Sequence, residues 1–173
     1  ISFVQTASQQ SIAGDLFIDC TGFHRVLLRE LAEEFVDFGD HLLNDRAVTA
    51  RIPFPNSQPE NIESCTISRA MKFGWMWEIP LYERMGAGYV YSSQFVSDED
   101  AEAEFREQLG HPDVETRVIP FRSGYLKHSW VKNCVGIGLS GGFMEPLEAT
   151  GIAMITHSIF RLMENWPDTS FPD

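Results

Sequence analysis

Apolar and polar residues along this 173-residue chain change period several times, and each change marks an element. Residues 1–6 and 15–20 carry strand character, the second run being Leu16-Phe17-Ile18-Asp19-Cys20 and ending sharply at Thr21-Gly22. From Val26 to Phe38 the apolar positions Val26, Leu27, Leu31, Phe35 and Phe38 recur at helical spacing, opposite Arg29, Glu30, Glu33 and Glu34, which predicts a short helix. Ala47–Phe54 and Ser64–Met71 read as strands separated by a loop holding Pro53, Pro55 and Pro59. Two aromatic-rich strands follow at Trp75–Pro80 and Gly88–Ser93, with a turn at Gly86-Ala87-Gly88 between them.

Ser97 is a good helix N-cap, Asp98, Glu99 and Asp100 load the first turn, and Gly110 offers a stop. The spacing therefore predicts a helix between them whose acidic run is a solvated face. Thr116–Phe121 and Ser129–Val135 resume strand character. Gly151–Trp166 forms a last helix with Ile152, Ile155, Ile159, Leu162, Met163 and Trp166 as its buried stripe. Neither a repeat nor a composition shift marks a boundary, so residues 1–173 read as one unit.

Composition narrows the function classes. With 43% hydrophobic and 12% aromatic residues the chain can build a core. Lys and Arg number 13 against 25 Asp and Glu, a net charge of −12, which repels phosphate backbones and anionic membranes. Nucleic acid and membrane are not expected partners. Cys20, Cys65 and Cys134 are odd in number and set among apolar residues, as suits buried thiols in a reducing cytoplasm. The amino-terminal ISFVQTAS does not read as a leader, having no basic region followed by an apolar run, and no run is long and apolar enough to span a bilayer. Without an initiator methionine, the chain reads as an excerpt of a longer protein.

Candidate chemistry concentrates in Lys132–Ile155, where a strand enters a glycine-rich bend and then a proline, a glutamate and a helix start. Unpaired N–H groups and the helix dipole favour an anion there, with Glu148 alongside. A carboxylate at a helix start is also a routine complement to the dipole, and Glu145 competes on the same terms. Gly136-Ile137-Gly138-Leu139-Ser140-Gly141 matches G-x-G-x-x-G, but the βαβ unit of a dinucleotide fingerprint is not continued after it. Glycines that let backbone approach a helix or a planar ligand account for the spacing. Trp75 and Trp77 stand at i and i+2 and so face one side of a strand, as core in the first instance or as the wall of a tunnel. His24, His41, His111, His128 and His157 contain no i, i+4 pair and stand apart from the cysteines, so no metal site is expected.

Taken together, Asp15–Phe23, Gly74–Pro80 with its G-W-x-W-x-I-P signature, Gly88–Ser93, Trp130–Cys134 and Glu145–Ile152 resemble, in order, the motifs of the flavin-dependent halogenases of the tryptophan-halogenase type. The resemblance implies an α/β fold, the central fragment of an FAD-dependent monooxygenase-like (glutathione-reductase-type) fold with a mixed sheet and flanking helices. It implies FAD, reduced by a separate flavin reductase, and a halide ion. Halide would attack a flavin hydroperoxide, and the resulting hypohalous acid would halogenate a small electron-rich aromatic substrate of indole, pyrrole or phenol type.

By position, Glu148 resembles the catalytic glutamate of the pocket, and Thr150 and Gly151 the halide-binding pair. Leu139, Ile152, Gly138 and Pro146 resemble cofactor-lining residues, and Trp75, Trp77, Ile79 and Pro80 the signature that walls a tunnel. Ala149 replaces the family's usual serine, removing one hydroxyl. The FAD fingerprint and catalytic lysine of the family fall before Ile1, and Lys72, Lys127 and Lys132 do not match that lysine. An oxygenase of the same fold without halide use, and a non-catalytic binding module, remain the alternatives. A homodimer is left open.

Overall fold

The computed structural model describes residues 1–32, 34–54, 62–145, 147 and 150–166. In chain order, the strands of the first third are β1 (Phe3–Gln5), β2 (Ser11–Ala13), β3 (Phe17–Asp19), β4 (Phe35–Asp37) and β5 (Arg46–Pro53). Next come β6 (Ile67–Met71), β7 (Gly74–Pro80), β8 (Arg84–Tyr91), helix α1 (Asp98–Leu109) and β9 (Thr116–Pro120). Short strands β10 (Gly124–Leu126), β11 (Trp130–Val131), β12 (Cys134–Gly136) and β13 (Gly142–Phe143) lead to helix α2 (Thr150–Glu164). The chain divides into two compact units, one of Ile1–Phe38 with Arg122–Asp173 and one of Gly39–Phe121.

In the Gly39–Phe121 unit, five antiparallel strands lie in the order β6-β7-β8-β5-β9. Alternation along them puts Val48, Met76, Tyr89 and Tyr91 on one face, where Ala101 and Phe105 of α1 bury them completely. Removing Phe105 or Met76 from water stabilises the unit by about 2–3 kcal/mol each. Helix α1 has the predicted ends: Ser97 Oγ accepts from Asp100 N at 3.1 Å, and Gly110 closes the helix at φ 69°. Its acidic face is more than a solvated one. Asp98 accepts from the Tyr91 hydroxyl at 2.8 Å, and Glu104 from that of Tyr89 at 3.1 Å.

Three sheets and α2 make up the other unit. β1 pairs with β2, β4-β10-β13 form an antiparallel trio, and β11-β12-β3 contains the parallel pair, with Gly136 opposite Asp19. Phe17, Leu28, Leu126 and Cys134 form its core. The mixed α/β class expected from the sequence is the class observed.

Several local expectations are corrected. Among its described residues Val26–Phe38 holds a 3₁₀ turn at Leu28–Glu30 and then β4, where Asp19 takes the N–H groups of Leu27 and Leu28 and β10 pairs with Phe35–Asp37. Gly86-Ala87-Gly88 is not a turn but the middle of β8. Ser129–Val135 splits into β11 and β12 around Lys132, at φ 53°. Cys20 and Cys65 are exposed, and only Cys134 is buried. Of the predicted α2 stripe only Leu162 is buried, while Ile152, Ile155, Ile159, Met163 and Trp166 are exposed. The loop with Pro55 and Pro59 lies outside the described residues.

Candidate functional site

A buried carboxylate organises the site in the unit of β3, β12 and α2. β3 delivers Asp19 to full burial, where its oxygens accept from Thr21 N at 2.9 Å, Thr21 Oγ1 at 2.6 Å, Leu27 N at 2.9 Å, Leu28 N at 3.0 Å and Ser140 Oγ at 3.0 Å. Burial alone would raise the pKa of this carboxyl. The donors outweigh it and hold the group ionised, at about 2 against an ordinary 3.8. The Asp19 carbonyl accepts from Ile137 N at 3.0 Å, so β3 grips the glycine bend through both its backbone and its side chain.

From Gly136 the bend runs through a 3₁₀ turn at Gly138–Ser140 into β13. Gly138 sits at φ 70°, which glycine adopts without strain, and a Cβ on Gly141 would come within 2.9 Å of the Gly136 carbonyl oxygen. The backbone therefore folds onto itself, and its open side faces α2 across a cavity of about 290 Å³. Gly136, Gly138, Leu139 and Gly141 line one side and Gly151, Met154, Ile155 and Ser158 the other, with Tyr125 and Leu126 of β10 completing the wall. The helical contributors fall at i, i+3, i+4 and i+7, one face of α2. No charged side chain lines this cavity among the described residues.

Three predicted residues, Gly138, Leu139 and Gly151, thus meet at one cavity. Ile152 does not, being 71% exposed on another face of α2. Thr150, the first residue of α2, has a buried Oγ1 without a hydrogen-bond partner among the described residues. Glu148 and Pro146 lie outside the described residues.

In the other unit, Trp75 and Trp77 share one face of β7 with ring centroids 5.7 Å apart, and Ile79 and Pro80 end that strand. Both indoles are half-buried, whereas the intervening Met76 is fully enclosed beneath α1, so the tryptophans lie outside the core cluster that their spacing first suggested. Asp19, Ser140 and the Met154-Ile155-Ser158 face were missed in the sequence. A signal for Asp19 existed: an acidic residue closing an apolar strand just before Thr-Gly is placed to cap the turn that follows, as Asp19 does here by accepting from the Thr21 N–H.

A flavin-sized planar group needs an apolar slot against which backbone can come close, and the glycine-walled cavity has that character. A family model described as tryptophan halogenase matches residues 1–173. The chain belongs to the tryptophan halogenase family. Among its relatives, tryptophan 7-halogenase RebH of Lentzea aerocolonigenes is 44% identical over 98% of this chain and 32% of its own length. The solved tryptophan 6-halogenase SttH of Streptomyces toxytricini superimposes with a TM-score of 0.91 at 43% identity, over 99% of this chain and 34% of that one. BrvH, a flavin-dependent halogenase from Brevundimonas sp. BAL3, gives 0.87 at 40% identity, over 98% and 35%.

The chain spans about a third of the length of these tryptophan halogenase relatives. Among the described residues, no helix is long and apolar enough to cross a membrane, and no group of three His, Cys, Asp or Glu could hold a metal ion.

Proposed function

We propose that the protein carrying this chain is a flavin-dependent halogenase of an electron-rich aromatic substrate of indole, pyrrole or phenol type, and that this chain supplies its halide site and one wall of its flavin site. The observation that carries the reading is the buried Thr150 hydroxyl at the start of α2, unpartnered among the described residues and next in sequence to the cavity-lining Gly151. A halide ion accepts hydrogen bonds and gains from the positive end of a helix dipole, so it is a fitting partner for that O–H and for first-turn N–H groups.

Gly138, Leu139 and Gly151 would hold FAD, with reduced flavin coming from a separate reductase. Bound reduced flavin supplies, with oxygen, the oxidising equivalent that turns halide into electrophilic halogen. The residues of this chain do the rest. Thr150 and Gly151 hold the halide in place, and Leu139, Met154 and Ile155 give the cavity an apolar wall. Glu148, two residues before Thr150 in the sequence, would stabilise positive charge on the aromatic ring and accept the proton leaving the carbon that takes halogen. By their resemblance to the family signature, Trp75 and Trp77 would wall a tunnel.

The test is turnover of the full-length protein with a flavin reductase, chloride or bromide, and a panel of indoles, pyrroles and phenols, with products read by mass spectrometry. Halogen gained in the isotope pattern is the expected result. Oxygen gained without halogen would transfer the assignment to the hydroxylating alternative, and no product across the panel would overturn the reading.

A further inference from the structure

Among the described residues, Arg25 is a cation that the local ion pairs leave over and, unlike the exposed Lys132, it has a shielded donor. Its guanidinium lies 4.5 Å from the centroid of the Phe35 ring, and that of Arg122 lies 4.8 Å from the same centroid. Arg122 is paired, donating to Asp37 through Nε at 3.0 Å and again through Nη2. The Asp19 carboxylate is close enough to favour the charge on Arg25, but its own five donors occupy it. Glu34 is taken by Lys127 at 2.8 Å. No carboxylate forms an ion pair with Arg25 among the described residues, and its Nε is buried without an acceptor.

The ordinary explanations of an arginine do not cover this one. A solvated surface arginine has water on its nitrogens, whereas this Nε is shielded. A cation–π contact with Phe35 orients the plane but satisfies no N–H. Burial, and then the charge on Arg122, both act against the protonated guanidinium. The backbone is unfavourable as well: Arg25 sits at φ 47°, ψ 47°, the left-handed conformation that glycine adopts freely. Two like charges share one aromatic ring, in a chain of net charge −12, with one of them unneutralised at a strained position. Such an arrangement fits an arriving anion, because a two-oxygen group satisfies the guanidinium fork and neutralises the excess charge in one step.

We infer that Arg25 and Arg122, held over Phe35, form a binding site for an oxyanion, a carboxylate or phosphate group of a ligand. The inference stands apart from the halogenase reading, since the cluster shares no residue with the cavity at α2. Arg25 contributes an unsatisfied donor, Nε, and the exposed Arg122, paired with Asp37, forms the solvent-facing side of the site. Thr21, Val26 and the turn between them fix the Arg25 backbone: the Arg25 N–H donates to the Gly22 carbonyl at 3.1 Å, and the Val26 N–H to Thr21 Oγ1 at 2.8 Å.

Calorimetric titration of the full-length protein with inorganic phosphate, and separately with acetate, tests this. Saturable uptake of one anion per chain is expected, weakened about tenfold or more in Arg25→Gly and partly restored in Arg25→Lys. Because glycine suits the Arg25 backbone, the melting temperature of Arg25→Gly should not fall, which separates lost binding from lost folding. Repeating the titration with FAD present distinguishes the source: competition assigns the anion to the flavin phosphates, and unchanged uptake to a separate ligand. Equal affinity in wild type and Arg25→Gly would overturn the inference, as would the absence of saturable uptake.

Discussion

The indole of Trp77 lies across the Cα of Gly88, its partner on the adjacent strand, so closely that a Cβ there would stand 2.1 Å from the ring. The second tryptophan of the G-W-x-W-x-I-P signature is thus seated by a glycine from a different motif. Gly88→Ala must push the indole off the sheet, and overpacking of this kind costs about 1–3 kcal/mol. A lower melting temperature with altered tryptophan fluorescence is the expected outcome. An unchanged melting curve would show that the ring has another rotamer available at no cost.

Asp19 links folding to pH. Its pKa falls from 3.8 to about 2 on folding, so the native state is favoured wherever the carboxylate is ionised in both states. A depressed carboxyl pKa gives stability that is full above about pH 4 and drains away as pH falls toward about 2; at one unit per 1.36 kcal/mol this amounts to about 2 kcal/mol. Asp19→Asn should abolish that acid-limb dependence and lower stability at pH 7, because an amide NH2 cannot accept from Leu27 N, Leu28 N and Thr21 together. Urea melts of both forms between pH 2 and 7 measure it.

Thr150 offers a substitution whose effects on folding and function diverge. In Thr150→Val the buried oxygen that lacks a partner is replaced by a methyl of like size, so stability should hold or rise slightly. If that hydroxyl donates to halide, the KM for chloride should rise about tenfold, the worth of one hydrogen bond to an anion. Steady-state kinetics of the full-length enzyme across chloride concentration give the answer, and an unchanged KM would remove Thr150 from the halide site.

Glu148→Gln in the full-length protein should preserve folding and flavin binding while cutting halogenated product by orders of magnitude, since one transition-state electrostatic contact is worth about 3 kcal/mol. A residue that merely complements the helix dipole would cost about 0.3–1 kcal/mol of stability and leave turnover near normal. Product yield beside melting temperature, with Glu145→Gln as the control, separates the two, and normal activity in Glu148→Gln would withdraw the catalytic role.

Where local chemistry was self-sufficient, the sequence was legible. Ser97 to Gly110 carried cap, acidic first turn and stop within fourteen positions, and α1 has those ends. The aromatic strand at Gly74–Pro80 alternates as its pattern requires, and Glu145–Ile152 together with the tryptophan signature identified the family. Val26–Phe38 failed for the opposite reason. Its helical spacing is real, but Asp19 draws off two of its N–H groups and Gly124 and Tyr125 recruit Asp37 and Val36 into a sheet, and neither partner is visible locally.

The exposed stripe of α2 teaches the same lesson about faces. Periodicity located the helix and its apolar positions, yet Gly151, Met154, Ile155 and Ser158, not the equally apolar Ile152 and Met163, are the residues turned to the glycine bend. Amphipathic pattern ranks residues by their aversion to water, while the partner surface selects those that fit beside Gly138 and Gly141. Motif, family and, outside Val26–Phe38 and Gly86–Gly88, the type of the main elements were therefore determined by the sequence alone. The five-donor shell of Asp19, the cavity at α2 and the unsatisfied charge of Arg25 were decided only in three dimensions, because each depends on contacts between segments up to 121 positions apart that no local pattern encodes.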